Sequence, residues 1–149
     1  MSENFLRLIP TDPWYMPTPA AQDQASTLFA SLVQEEGIQA YMTEDASFVD
    51  PGSNLKRILC PRCGAVLSME WWVQAMDRAY TDTQFRNLDV MVPCCETRCS
   101  LNDLRYEWPA GFARFLLEAR SPENDLTEEQ LALFEPLLDG RVRKIWAHY

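Results

Sequence analysis

A chain of 149 residues with 47% apolar and 23% charged side chains has the composition of a folded globular protein, which excludes wholesale disorder. At that length roughly 68–70% of the unfolded surface can be buried, so one domain spanning 1–149 can build its own core without disulfides. The net charge of −9 argues against a nucleic-acid-binding surface, because phosphate binding rests on lysine and arginine displacing counterions.

No stretch reaches the about 18 uninterrupted apolar residues that a membrane span requires, and Met1–Pro10 lacks the basic and apolar regions of a secretory signal. A soluble, cytoplasmic protein is the expectation. The acidity is uneven: Glu3, Asp12, Asp23, Glu35, Glu36, Glu44, Asp45 and Asp50 stand against the single Arg7 in the first fifty residues. That half either faces solvent or meets a basic partner.

In chain order, the four prolines between Pro10 and Pro19 predict an extended arm over residues 1–19, with Trp14 and Tyr15 packing onto the body. Ala25, Leu28, Phe29, Leu32 and Val33 recur at helical spacing, which predicts a helix from Ala20 to Glu36 with Gly37 as its left-handed cap. A short strand is expected over Ile38–Met42, a turn at Asp50–Asn54, and a strand over Leu55–Leu59 that runs into Cys60. Ser68 caps a second helix whose apolar face is read as Met69, Trp72, Val73, Met76 and Tyr80. Leu88, Val90 and Val92 alternate with Asp89 and Met91 as in a half-buried strand, and Pro93 ends it before Cys94.

Ser100–Asp103 reads as a capped helical turn, and Gly111–Arg120 as a strand with Ala113, Phe115, Leu117 and Ala119 on one side, a helix being the competing reading. Thr127 and Gln130 form a capping box, flanked by Leu126 and Leu131, so a helix is expected over residues 127–138, ending at Asp139-Gly140. Arg141–Tyr149 is read as a short helix or hook. No internal repeat is visible in the residues. The expected fold class is α+β, a small antiparallel sheet with a zinc-ribbon-like pair of knuckles, packed by several helices.

Five cysteines form two tight groups rather than a scattered disulfide framework. Zinc takes four tetrahedral nitrogen or thiolate ligands, and two cysteines separated by two residues reach one ion from a tight turn. In Cys60-Pro61-Arg62-Cys63-Gly64 the proline fixes the start of the turn and the glycine lets the backbone curl so that amides point at sulfur. The rival reading, a redox dithiol, needs its first thiol at a helix N-terminus, and Gly64 argues against a helix there. The second group offers Cys94, Cys95 and Cys99 for two ligand places, and spacing alone does not choose among them.

Cys60-Pro-Arg-Cys-Gly64, Val92-Pro-Cys-Cys95, Ser100-Leu-Asn-Asp-Leu-Arg-Tyr106, Trp108-Pro-Ala-Gly-Phe-Ala-Arg-Phe115 and the ending Arg143-Lys-Ile-Trp-Ala-His-Tyr149 together resemble a set of small, largely uncharacterised bacterial zinc-ribbon-like proteins. The resemblance covers roughly residues 58–149. It implies a bacterial, metal-stapled α+β domain whose ligands are Cys60, Cys63, Cys94 and Cys95, and it brings no particular reaction. Cys99 departs from the family pattern and is kept as a reserve ligand.

The sequence carries no nucleophile elbow, phosphate-cradling glycine loop or paired-histidine zinc motif, and its only histidine, His148, is read as a surface residue. A closed set of thiolates leaves zinc no place for water, so the ion is expected to be structural and the protein not an enzyme. Trp71, Trp72, Tyr80, Trp108 and Trp146 are read as core, or else as part of a partner-binding patch. The leading functional expectation is a protein that binds a protein partner, such as a basic toxin or effector, as an immunity protein or effector adaptor. The alternative is a zinc-ribbon regulator that contacts nucleic acid or the transcription machinery through the basic group Arg141, Arg143 and Lys144. A hydrolase or redox protein is a third reading.

Overall fold

The computed structural model describes residues 3–35 and 37–149. The chain runs through β1 (Asn4–Pro10), α1 (Pro19–Val33), β2 (Gln39–Val49), β3 (Arg57–Leu59) and α2 (Met69–Thr83). It continues through β4 (Asp89–Met91), β5 (Arg98–Ser100), a 3-10 turn (Leu101–Asp103), β6 (Arg105–Glu107), β7 (Gly111–Arg120), α3 (Glu128–Ala132), α4 (Glu135–Leu138) and β8 (Val142–His148). The fold is α+β, as the alternation of patterns predicts.

Four strands form an antiparallel sheet in the order β2-β7-β1-β8. β7 spans the predicted residues, and Phe115, Leu117 and Ala119 point into the main core together with Leu6 and Leu8 of β1. Ala25, Phe29 and Val33 of α1, Leu126, Leu131 and Phe134 of the α3 region, and Leu138 of α4 complete that core. Phe29 and Phe134 meet edge to face at 6.3 Å, the geometry that aromatic quadrupoles favour.

Several expectations are corrected. Only part of the predicted N-terminal arm is an arm: residues 4–10 form β1, between β7 and β8. Its single proline within the strand, Pro10, stands at the strand's end, where a missing N–H is tolerated. α1 ends at Val33, and Gln34, not Gly37, takes the left-handed cap at φ 55°, its N–H bonding to the Ala30 carbonyl. The expected last residue of that helix, Glu36, lies outside the described residues. The predicted helix over 127–138 breaks into α3 and α4, because Pro136 has no N–H to offer the Ala132 carbonyl and its ring crowds that carbonyl. The capping box at Thr127 and Gln130 is present. Arg141–Tyr149 contains no helix; β8 pairs with β1 over Val142–His148. A short strand, β6, lies between the 3-10 turn and Trp108, where none was expected.

α2 starts at its predicted cap, Ser68, and packs Trp72 and Met76 of the expected face inward, but the buried face is turned away from Met69, Val73 and Tyr80. Ala75 is buried, with Trp71, Trp72, Met76 and Ala79 packed beside it, whereas Met69, Val73 and Tyr80 are exposed. This face covers a second core built from Ile58, Leu67, Leu88, Val92, Leu101, Leu104, Tyr106 and Phe112. That core supports the cysteine hairpins.

One polar side chain joins the two halves. Asn102, buried in the 3-10 turn, donates from Nδ2 to the Thr11 carbonyl at 2.9 Å and accepts on Oδ1 from the Phe112 amide at 2.8 Å. Its own carbonyl accepts from Arg143 Nη1, which also reaches the Ala110 carbonyl at 2.7 Å. Gly111 makes this approach possible, since a Cβ there would sit 2.6 Å from Arg143 Nη1. Among the described residues, no helix is long and apolar enough to cross a membrane.

Candidate metal centre

Each cysteine group sits at the tip of a small hairpin, and the two hairpins share one backbone pattern. In the first, the Cys60 N–H bonds to the Ala65 carbonyl at 2.9 Å and the Gly64 N–H to the Cys60 carbonyl at 3.0 Å, with Gly64 at φ 77°. In the second, the Val92 N–H bonds to the Thr97 carbonyl at 3.0 Å and the Glu96 N–H to the Val92 carbonyl at 3.0 Å, with Glu96 at φ 54°. Every position in the second is 32 residues beyond its counterpart, 60 to 92 and 65 to 97.

The correspondence extends down the hairpins. Leu59 bridges Val66 as Met91 pairs with Arg98, and the Leu67 N–H reaches the Ile58 carbonyl where Cys99 pairs with Val90. Ser68 and Ser100 follow in register, and each caps the helical turn after it. The chain therefore contains a structural repeat of residues 58–68 in 90–100, which corrects the expectation that there is none. Sequence reading missed it because only Pro61 and Pro93, Cys63 and Cys95, and Ser68 and Ser100 are identical in the two copies.

The repeat explains the odd spacing of the second cysteine group. Val92, fully buried, holds the place of Cys60, and Cys94 stands where the first knuckle has Arg62. Cys94 nevertheless brings its sulfur to within 3.4 Å of Cys63 Sγ, and Cys95 lies 3.8 Å from Cys60 and 4.0 Å from Cys94. The four sulfurs of Cys60, Cys63, Cys94 and Cys95 all lie within 4.8 Å of one another. Tetrahedral thiolates at a metal–sulfur distance of about 2.3 Å stand about 3.8 Å apart, so this cluster can hold one such ion. All five cysteines are free thiols.

Cys99 is outside the cluster. It lies in β5 opposite Val90, half-buried against the second core in the place that Leu67 has in the first hairpin. Burial pushes its thiol above the ordinary range, as expected of a small packed residue.

The surroundings favour negative charge on sulfur at one end of the cluster. Burial opposes ionisation of Cys60, but hydrogen bonds from the amides of Cys63 and Arg62, at 3.5 and 3.4 Å from its sulfur, and from the Cys94 and Cys63 thiols together outweigh it and bring the thiol down to about 6. Cys94 is pushed up to about 12, first by desolvation and then by its thiol neighbours and the charge on Cys60. Four thiols this close cannot all ionise unless a cation neutralises them. Thr97 Oγ1, 3.1 Å from Cys95 Sγ, is a polar neighbour that the sequence reading did not single out. No spacing rule points to it.

The redox reading loses its structural requirement, since α2 begins at Met69, well past Cys63. His148 is tied into the main sheet: Nδ1 lies 2.6 Å from Asn4 Oδ1, and its carbonyl accepts from the Ser53 amide. Of the basic group at the C-terminal end, Arg141 is exposed, whereas the other two are engaged within the chain. Arg143 is committed to carbonyls, and Lys144 is bound by Asp125 at 3.0 Å and by the Leu126 carbonyl at 2.6 Å.

The acidic first half is dispersed. Glu3 pairs with Arg120, Asp45 with Arg86 at 2.7 Å, and Asp50 Oδ1 accepts from Tyr149 and the Gly52 amide. Of the aromatics, Trp72 is core, in contact with Phe48 and Tyr106, and its Nε1 donates to the Tyr106 hydroxyl. Trp108 and Tyr80 are exposed. Compared with protein-family models, with curated proteins and with solved structures, the chain has no match.

Proposed function

We propose that this chain is a non-enzymatic bacterial protein in which a structural zinc ion, held by Cys60, Cys63, Cys94 and Cys95, staples a platform that binds a protein partner. The observation that carries the metal reading is the cluster of four sulfurs, all within 4.8 Å of one another, around a point where one tetrahedral ion fits. Four thiolates complete the coordination of zinc and leave no place for water or substrate, which suits a structural ion and not a catalytic one. Softer thiolate donors also favour zinc over magnesium or calcium.

Binding of a partner is supported by exposed apolar side chains on the two cysteine hairpins and α2, including Val66, Met69, Val73, Tyr80 and Met91. Apolar surface of this kind is used in recognition. A net charge of −9 favours a basic partner, the property of a toxin or effector that an immunity protein or adaptor would neutralise or carry. The nucleic-acid alternative is weakened, because Arg143 and Lys144 are engaged within the chain and leave Arg141 as the exposed member of the basic group.

The test is to purify the tagged protein from a bacterial host without chelator, measure its zinc, and identify cross-linked proteins before and after Cys63→Ala. One zinc per chain and a stoichiometric protein partner lost in the variant are expected. A loaded chain that recovers no partner, or one that turns over substrate, would contradict the binding reading.

A further inference from the structure

The repeat is complete at the knuckles but unequal at its outer edge. In the first copy β3 has two neighbours: residues 65–67 of its own hairpin on one edge, and β6 on the other. In the second copy β4 is the counterpart of β3, 57–59 to 89–91, and among the described residues β5 is its one strand neighbour. The place that β6 takes beside β3 has no strand beside β4 among the described residues.

That edge is open to hydrogen bonding. Val92 N–H bonds to Thr97, and Leu88 accepts from Leu101, so by the alternation of an antiparallel ladder the backbone groups of Leu88, Val90 and Val92 serve β5. Those of Asp89 and Met91 point the other way. Asp89 N–H is taken by Asn87 Oδ1 at 2.9 Å, which leaves the Asp89 carbonyl and both groups of Met91. A groove of about 420 Å³ lies along this edge, between Asn87–Met91 and the α2 residues Trp71, Ala75, Arg78, Ala79 and Asp82. No β5 residue lines it.

We propose that the open edge of β4 docks an extended segment of a partner protein as an added antiparallel strand, in the manner β6 adds to β3. This deepens the protein-binding reading above and rests on it. The first copy specifies the chemistry of the guest. There Tyr106 lies opposite Ile58, and Glu107, the next residue, lies opposite Arg57 and forms a two-pronged ion pair with it at 2.8 and 3.0 Å. In the second copy Val90 replaces Ile58 and Asp89 replaces Arg57, so the sign is reversed. The fitting guest has an aromatic or large apolar residue opposite Val90, followed toward its C-terminus by lysine or arginine opposite Asp89. Asp82 adds to the attraction, with Arg78 the one opposing charge in the lining. A second copy of this chain is a poor guest, because its own β4 would arrive with α2 alongside the same edge.

The probe is the β6 segment, residues 103–108, made as a blocked peptide with Glu107→Lys, and the same peptide with the native glutamate as comparison. Each is titrated into the full-length, zinc-loaded protein while backbone amide resonances are followed. The lysine peptide is expected to shift Asp89, Val90 and Met91, and to bind about fivefold tighter than the glutamate peptide, the size of a favourable cross-strand pair. Asp89→Lys, at an exposed position, is expected to invert the preference. Met91→Pro, which removes an N–H that β5 does not use, is expected to abolish binding while leaving the hairpin intact.

Shifts confined to other elements, a preference that ignores Asp89→Lys, or concentration-dependent shifts at β4 without peptide would each overturn the proposal; the last would assign the edge to a second copy. Zinc measured in the same sample keeps the two readings apart. The peptide titration decides the docking edge, and the metal content decides the centre.

Discussion

Val92 occupies in the second knuckle the backbone position that Cys60 occupies in the first, with the same pair of hydrogen bonds closing the turn beneath each. The fourth sulfur comes instead from Cys94, two residues further on. A ligand has moved along the turn while the turn itself has stayed.

This substitution makes a rescue predictable. Cys94→Ser alone is expected to lose tight metal binding, because one of four donors is gone. Adding Val92→Cys restores a Cys-x-x-Cys knuckle in a frame already shaped for it, and the double variant should regain one metal per chain. Cobalt substitution, read through sulfur-to-metal absorption, distinguishes the two.

Cys60→Ala and Cys99→Ala are expected to differ sharply. The first removes a ligand, and structural zinc is worth on the order of 10–16 kcal/mol in small domains, so the cysteine hairpins should unfold and the metal be lost. The second trims a half-buried side chain in the Leu67-equivalent place, at a cost of about 1 kcal/mol, and should keep its metal. Metal analysis together with denaturant unfolding checks both.

Metal binding should weaken as pH falls. Protons compete with the ion for every sulfur, and Cys60 is held at about 6, despite burial, by hydrogen bonds from the Cys63 and Arg62 amides and from its thiol neighbours. Its lowered value means that its favourable charge is present above its ordinary range and is lost as pH drops through about 6. Cys94, raised to about 12, is protonated at pH 7 without metal, so loading must release protons. Chelator competition at pH 5.5 and 7.5, with proton release followed in weak buffer, measures both effects, and an affinity that rises on acidification would contradict them.

Asn102→Ala is expected to destabilise the chain by about 2–4 kcal/mol, since it leaves the Phe112 amide and the Thr11 carbonyl buried without partners. The loss should appear in the unfolding midpoint with metal content unchanged in the folded state.

Much of this was legible in the residues, for reasons that are local. The alternation of Phe115, Leu117 and Ala119 determines β7, and the caps at Ser68, Ser100 and Thr127 are spelled by side chains that bond to amides within three residues. Cys60 and Cys63 were legible because proline, spacing and glycine act within one turn. What depended on partners far along the chain was not legible. β1 and β8 pair across most of the chain length, so neither the proline-rich start nor the basic ending advertised a strand. The choice of Cys94 over Cys99 came from the resemblance; that Cys99 falls in the Leu67 place, away from the tip, follows from a repeat carried by backbone hydrogen bonds, which leaves almost no identity to read.

Zinc K-edge X-ray absorption on protein purified without chelator tests the central claim most directly. The account predicts four sulfur scatterers at about 2.3 Å around a single ion, unchanged in Cys99→Ala. A shell containing nitrogen or oxygen, or a protein that folds fully with no metal bound, would contradict it.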